Sequence, residues 1–446
     1  MDARWDSLEH YFSKARNLDD HTLDSLMELS VLKAENLLQA LRQDTMLAAN
    51  NSNLDLALDH YFTLSPLVAV KGNTDWYLNY YNSFRHHIKK QSQHWDLNES
   101  SQRNRMYTLM YGMRAAIEEV LLQADTINFN PVQSVTEEPS ATPSALLQEI
   151  EVHSGDLLVS RGGAEVSAFI SRGNDYPGNF SHVALVYVDE ENHKPHFIEA
   201  HIEKGVAVAS AEEYLKDRKL RFMVLRPRAD LPQLLDDPML PHRAAALALQ
   251  QTNDRHIPYD FKMNFYDSSA MFCSEVGSFA YKKFGVKLWQ AESTISSQGT
   301  ADWLNAFGVE NFVTQMPSDL EYDPQLSIVA EWCDPQTLLK DHIDNAVMDA
   351  LLERANEGLT IDYNHWLLPV ARLVKVFSII QNRAGKPGII PEGMSATQAL
   401  KNNAFVDLYQ ETRTITELDI EHFTREKGYR PPYWQMVAFA REASVH

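Results

Sequence analysis

FSHVALVYVDEENHKPHFIEAHIEKGVAVAS, residues 180–210, is the stretch on which the fold turns. Two runs inside it, HVALVYV (182–188) and HFIEAHI (196–202), are rich in Val, Ile, Leu and Phe and flank the polar loop DEENHKP. Such runs read as strands, and a short polar connection between them reads as an antiparallel hairpin. Counting back across the loop puts residues 199–201 opposite 182–184. GVAVAS (205–210) adds a strand, and DLLVS (156–160) and RFMVLRP (221–227) continue the texture on both sides.

Outward from this β-rich centre the periodicity changes. A helix is expected over about 240–252, and another begins near Cys273, where Val276, Phe279 and Ala280 supply an apolar face. Before the strands, three sets recur at three- and four-residue spacing: Leu23 to Leu41, Trp76 to Ile88, and Met106 to Leu121. Each makes one apolar stripe, and stripes of this kind pack as a bundle. NFNPVQSVTEEPSATPS (128–144), with three prolines and few apolar residues, reads as a linker. Beyond Pro335 helical spacing returns: Asp334–Pro335 is the expected helix start and Gly358 its C-cap. A second run, HWLLPVARLVKVFSIIQ (365–381), is interrupted by Pro369 and carries Arg372 and Lys375. A packed core helix is the expected reading; a helix lying on a membrane surface is the alternative. The expected organisation is α+β: a helical bundle over 1–127, a linker over 128–149, a central domain over 150–335 with an antiparallel sheet and a Cys-bearing helix, and an all-α region over 336–446.

Bulk composition narrows the function. Lys+Arg total 40 against 61 Asp+Glu, a formal net charge of −21. Nucleic-acid binding requires a basic footprint and is therefore not expected. The same charge disfavours steady attachment to anionic membranes. No apolar stretch reaches the roughly eighteen residues of a spanning helix, so no integral membrane segment is expected. The start, MDARWDSLEHYFSKARNLDD, lacks an apolar core and a small-residue cleavage site, and reads as a helix and not as a signal peptide. With only Cys273 and Cys333, a reducing compartment fits. A cytoplasmic location is expected, with leaderless export left open, as is the oligomeric state.

The chemistry-bearing residues are few. Cys273, in SSAMFCSEVGSFAYKKFG, opens a helix just after a polar turn, where first-turn N–H groups and the helix dipole favour a thiolate. Cys333, in AEWCDP, has no such setting and reads as structural. A thiol nucleophile needs a base, and the base an orienting partner. His182 stands at the first residue of an apolar strand, beside the polar loop GNDYPGNFS. Glu199 lies on the neighbouring strand, where it can accept a hydrogen bond from His182; His201 competes for that role. Taken singly, each residue of this kind is more often a satisfied polar group at a strand edge. In RHIPYDF, fourteen residues before the cysteine, Tyr259 can donate to a developing oxyanion. Arg161 and Arg172 lie in SRGGAEVSAFISRGND and are candidates to hold a substrate carboxylate or phosphate. Two distant cysteines and scattered histidines such as His86 and His87 do not make a zinc site.

The order GDLLVSRGG, FSHVALVYVD, FIEAHIEKGV, IPYDF, FCSEVGSFAY resembles the permuted papain-like cysteine hydrolases of the NlpC superfamily, the YiiX-like group. The lecithin:retinol acyltransferase-like enzymes are relatives of that group. In it the His strand and its acidic partner precede the Cys helix, as here. The resemblance implies Cys273 as nucleophile, His182 as base, Glu199 as third member and Tyr259 as active-site tyrosine. Gly155–Asp156 resembles the opening strand, and MPSDLEYDPQLSIVAEW (316–332) the closing segment. It covers roughly 150–335 and does not extend to the helical regions. One departure is Phe272, where an Asp ordinarily precedes the cysteine; little effect is expected. The expected activity is acyl transfer through a thioester without metal or organic cofactor. The acyl donor is an amide in a cell-wall peptide or a protein isopeptide; the alternative is a lipid or other ester, towards which only the apolar run at 365–381 points. A non-catalytic scaffold on a degenerate hydrolase core is the remaining alternative.

Overall fold

The structure is a computed structural model that describes residues 3–445 except 45, 125, 126, 266, 384, 385 and 387. Five helices open the chain: α1 (Ala3–Arg16), α2 (Asp20–Gln43), α3 (Ser52–Lys71), α4 (Thr74–Gln91) and α5 (Ser100–Gln123). Their apolar stripes are buried together; Leu23, Leu38, Tyr77, Ile88, Leu109 and Val120 all belong to the core. The ends follow local chemistry: Asp19 accepts from the N–H of Thr22 at 2.9 Å to cap α2.

The segment 128–149 departs from a free linker. It contributes the edge strand β1 (Val132–Ser134), whose partner lies some two hundred residues onward, and β2 (Ser144–Leu147), which forms a hairpin with β3 (Ile150–His153). Its prolines and polar residues mark irregular chain but do not prevent short edge pairing.

The centre is built from β4 (Leu157–Gly162), α6 (Glu165–Arg172), β5 (His182–Val188), β6 (Pro195–His201), β7 (Gly205–Ser210), α7 (Ala211–Lys216) and β8 (Lys219–Pro227). Then come α8 (Pro232–Asp236), α9 (Leu240–Asp254), α10 (Cys273–Lys282), β9 (Ser293–Thr294), α11 (Gln298–Phe307), β10 (Val313–Thr314), α12 (Asp319–Tyr322) and β11 (Leu326–Cys333). Seven strands form one antiparallel sheet in the order β1-β11-β8-β4-β5-β6-β7. Alternation assigns its two faces. Leu157, Val159, Val183, Leu185 and Ile198 join the core shared with α9, α10 and the N-terminal helices. Leu158, Ala184, Val186, Phe197 and Val224 pack instead with the β2–β3 hairpin and Tyr214 of α7. The helix α10 seats closely on the sheet because Gly277 has no Cβ; one there would collide with Leu157.

The C-terminal region comprises α13 (Leu338–Asn356), α14 (Leu368–Arg383), α15 (Ala396–Lys427) and α16 (Tyr433–Ala443). The helix α13 begins three residues after the expected start, with Leu338 and not Pro335 as its first residue. Asp334 folds a turn instead, its carboxylate accepting from Gln336 N–H at 3.0 Å and its carbonyl from Thr337 N–H at 3.0 Å. Gly358, at φ +103°, ends the helix as expected. Pro369 does not break the run at 365–381 but stands in the first turn of α14, where it is tolerated. That helix is not a packed core element. Ala371 and Ser378 are buried against the protein, while Trp366, Val370, Leu373, Val376, Phe377 and Ile380 face outward. Periodicity identifies an apolar face but not whether anything covers it.

Three parts of the chain are joined by buried charge. Arg114 of α5 meets Glu331 of β11 at 2.6 Å and Glu321 of α12 at 2.5 Å, and Arg85 of α4 meets Glu331 at 2.7 Å. Arg221 of β8 pairs with Glu118 of α5 and, at 2.7 Å, with Asp341 of α13. Burial alone would push the Glu331 carboxyl up; Arg114, Arg85 and Arg221 outweigh it and hold it at about 2. Removing one partner strands charge that water cannot reach, which costs about 3–5 kcal/mol. Glu331→Ala is therefore expected to lower unfolding free energy in urea by about that amount. The folded Glu331 titrates below its unfolded value near 4.3. Its contribution is complete above that pH and is lost as pH falls towards 2, so the gap between wild type and Glu331→Ala narrows on acidification.

Candidate active site

Register brings the candidate acid–base residues together. In the β5–β6 hairpin Ala184 lies opposite Glu199, the pairing counted from sequence, and Leu185 lies opposite Ile198. His182 is two residues before Ala184, and His201 two after Glu199, so all four share one face. His182 reaches Glu199 on the diagonal, a distance long side chains span; Ala184, directly opposite, is small enough to leave room. The Nε2–H of His182 donates to Glu199 Oε2 at 2.7 Å, and His201 Nε2–H donates to Oε1 at 3.0 Å. Both carboxylate oxygens are thus occupied, and Glu199 is buried. Burial raises its pKa, but the hydrogen bonds from His182 and His201 win and hold it well below the usual carboxylate range.

The nucleophile candidate arrives on α10. Cys273 is the first residue of that helix, and its Sγ lies 3.9 Å from the carbonyl oxygen of Ser181, the residue before His182. The thiol is also close enough to the imidazole of His182 to bear on its protonation. With Nε2 committed to Glu199, Nδ1 is the ring nitrogen left for sulfur. Burial pulls the His182 pKa down; its interactions with Cys273 and Glu199 outweigh it and raise it to about 9. The imidazolium is the favoured form at neutral pH. It faces sulfur at a helix start whose first-turn N–H groups have no acceptor within the helix.

Phe272 has no side-chain oxygen with which to cap α10. The reciprocal half of a capping box is present instead: the Glu275 carboxyl accepts from the Phe272 N–H at 2.9 Å. Burial raises the Glu275 carboxyl to about 9, against the lowering by that hydrogen bond. A neutral cap leaves the helix start free of a carboxylate beside the sulfur. The departure at 272 is thereby accommodated within one turn, and the signal was in the sequence: a Glu three residues into a helix is a capping residue.

Tyr259 joins the group. The Pro258–Asp260 segment and Met271 are tied by Met271 N–H to Pro258 O at 3.0 Å and Asp260 N–H to Met271 O at 3.1 Å. This fixes the loop beside Cys273. Burial and the neighbouring Cys273 push the phenol well above its ordinary value, so it remains a hydrogen-bond donor. Cys273, His182, Glu199 and Tyr259 all line one open cleft of about 710 Å³. A larger groove, about 1220 Å³, lies between α3, α5 and the α15–α16 turn, and no cysteine or histidine lines it.

Arg161 and Arg172 do not reach the cleft, contrary to expectation. Both are buried, and both turn to α13: Arg161 Nε lies 3.2 Å from Asp341 and Arg172 makes two bonds, of 2.7 and 2.8 Å, to Asp349. A guanidinium below the surface takes a carboxylate partner in place of water. Neither has a free fork to offer a substrate. Cys333 is set apart as expected, its thiol pushed up to about 12 by burial.

Residues 151–330 match the family described as permuted papain-like amidase enzyme, YaeF/YiiX, C92 family. The central domain is a permuted papain-like domain. Its match supports a cysteine hydrolase or amidase kind of activity. Among solved structures, the chain is similar to the metalloprotein yiiX from Escherichia coli O157:H7, at 19% identity and a TM-score of 0.32, over 41% of this chain and 98% of that one. No curated protein matches. Among the described residues of this chain, no group of three or more His, Cys, Asp or Glu is placed to hold a metal ion.

The permuted papain-like domain makes a test of thiol reactivity direct. Iodoacetamide at neutral pH is expected to label Cys273 and spare Cys333, by peptide mass mapping. His182→Ala is expected to slow that labelling by about tenfold or more, because the imidazolium that favours the thiolate is gone.

Proposed function

We propose that this protein is a cysteine amidase that cleaves a peptide or isopeptide amide through a thioester on Cys273. The observation that carries the reading is the gathering of Cys273, at the start of α10, with the hydrogen-bonded pair His182–Glu199 at the wall of one open cleft. His182 holds the proton of the Cys273 thiol. The thiolate attacks the amide carbonyl, and the S–C bond forms as the oxyanion develops near the first N–H groups of α10 and the Tyr259 hydroxyl. His182 returns its proton to the departing nitrogen as the C–N bond breaks. Water, deprotonated by His182, then attacks the thioester, releasing the carboxylic acid and restoring the thiol. Glu199 stays ionised throughout and holds the ring in the tautomer that presents Nδ1 to sulfur. His201, on the other carboxylate oxygen, keeps that carboxylate from turning.

The second reading, hydrolysis or transfer of a lipid acyl ester, draws on the outward apolar face of α14. A mass-spectrometric screen of the protein against cell-wall peptides, isopeptide-linked peptides and phospholipids separates the two: the acyl group trapped on Cys273 identifies the donor.

Cys273→Ala is expected to abolish turnover of the substrate so found, and retained turnover would end the proposal. Because the His182 pKa lies at about 9, above its unfolded value near 6.5, the imidazolium persists through neutral pH and is lost as pH rises through about 9. The rate is expected to fall on that alkaline limb. In Glu199→Gln the limb moves to lower pH and kcat drops, by roughly a hundredfold or more, as the ring loses its charged partner.

A further inference from the structure

The helix α14 is exposed on its apolar side to a degree that demands a covering. Trp366 is 90% exposed, Leu373 72% and Ile380 59%, and Val370 and Phe377 continue the stripe between them. The neighbouring Ile389 adds to it at 68%. Positions 370, 373, 377 and 380 recur every three or four residues, so they form one band along the helix, and Trp366 stands in the short turn His365–Leu367 that leads into it. A band of this size is uncommon on a protein surface that meets only water.

Charge says what covers it. The chain carries 61 Asp and Glu in 446 residues, yet none occurs from Tyr363 to Pro391. The same interval holds Arg372, Lys375, Arg383 and Lys386. An acidic protein has thus kept carboxylates away from one apolar helix and set cations there. Arg372 and Lys386 are exposed. A tryptophan at one end, an apolar band and basic residues beside it match the interface of an anionic bilayer. The helix has 16 residues and spans about 24 Å, short of a hydrocarbon core of about 30 Å. Among the described residues no helix is long and apolar enough to cross a membrane. The helix would therefore lie in the plane of the surface.

We infer that α14 docks this protein on an anionic lipid surface, its Trp366–Ile380 band entering the headgroup boundary. The docking helix is coupled to the cleft. Lys375 donates to the carbonyls of Pro391 at 2.7 Å and Glu392 at 3.0 Å, tying α14 to the strap that follows it. Glu392 accepts from His256 at 2.8 Å, and Gly393 lies so close to the Phe261 ring that a Cβ would clash. Phe261 in turn packs edge-on against Tyr259, ring centroids 5.0 Å apart. The loop that carries the cleft tyrosine is thus held by the strap to which α14 is tied. This inference does not depend on the thiol chemistry.

Vesicle co-sedimentation of the full chain tests it. Wild type is expected to sediment with vesicles of phosphatidylcholine and phosphatidylglycerol, less with phosphatidylcholine alone, and less as salt is raised. The doubly substituted Leu373→Glu, Phe377→Glu protein is expected to lose roughly tenfold or more in partitioning. Arg372→Glu alone is expected to lose roughly fivefold on anionic vesicles and nothing on neutral ones. Cys273→Ala is expected to bind as wild type does, which separates this inference from the amidase proposal. Circular dichroism confirms that the double variant is folded; if it is not, Arg372→Glu decides. Wild type left in the supernatant with both vesicle types overturns the inference, as does equal binding to both. So does a wild-type dimer in analytical ultracentrifugation that Leu373→Glu splits, for then a second copy covers the band.

Discussion

Arg221 sits near the start of β8 with almost no access to water, and much of the architecture is arranged around that charge. Its guanidinium takes Glu118 from α5 on one side and Asp341 from α13 on the other. Arg114, one turn before Glu118, reaches Glu331 and Glu321. Buried ions of this kind are costly unless every partner is in place, so their geometry is specified more strictly than that of apolar neighbours. Here the partners come from the N-terminal helices, the sheet and the C-terminal helices. None of the three can shift without stranding a charge.

That constraint reaches the cleft through the sheet. Arg221 lies opposite Arg161 on β4, and Ser160, its neighbour, lies opposite His182 on β5. The strand that carries the proposed base is therefore two strands from the ion network. Register then does the rest: a slip of one residue would send His182 and Glu199 to opposite sides of the sheet. Arg161 and Arg172 belong to the same device. They draw α13 against β4 and α6, and so set the C-terminal helices beside the central domain.

The C-terminal region is thus firmly seated at α13 and open at α14. The contrast is instructive about charge. A net charge of −21 argues against anionic membranes when it is treated as spread evenly. It is not spread evenly: the interval 363–391 carries cations alone. Over a Debye length of about 8 Å, the local sign governs an approaching surface, not the total.

Much of the centre was legible in the residues themselves. Strand runs at 182–188 and 196–202, the hairpin between them, the register that sets 199 across from 184, and a cysteine at the head of a helix all follow from neighbours within a turn or a loop. Alternation, helical spacing and capping are local physics, and a linear chain records local physics directly. The fate of Arg161 and Arg172, the strand pairing of 132–134, the network around Glu331 and the bareness of α14 were not recorded in that way. Each depends on what another segment, often a hundred or more residues distant, brings to the same place. An arginine looks alike on paper whether it meets a substrate or an aspartate, and an apolar stripe looks alike whether it is covered or not; only the folded chain supplies the partner.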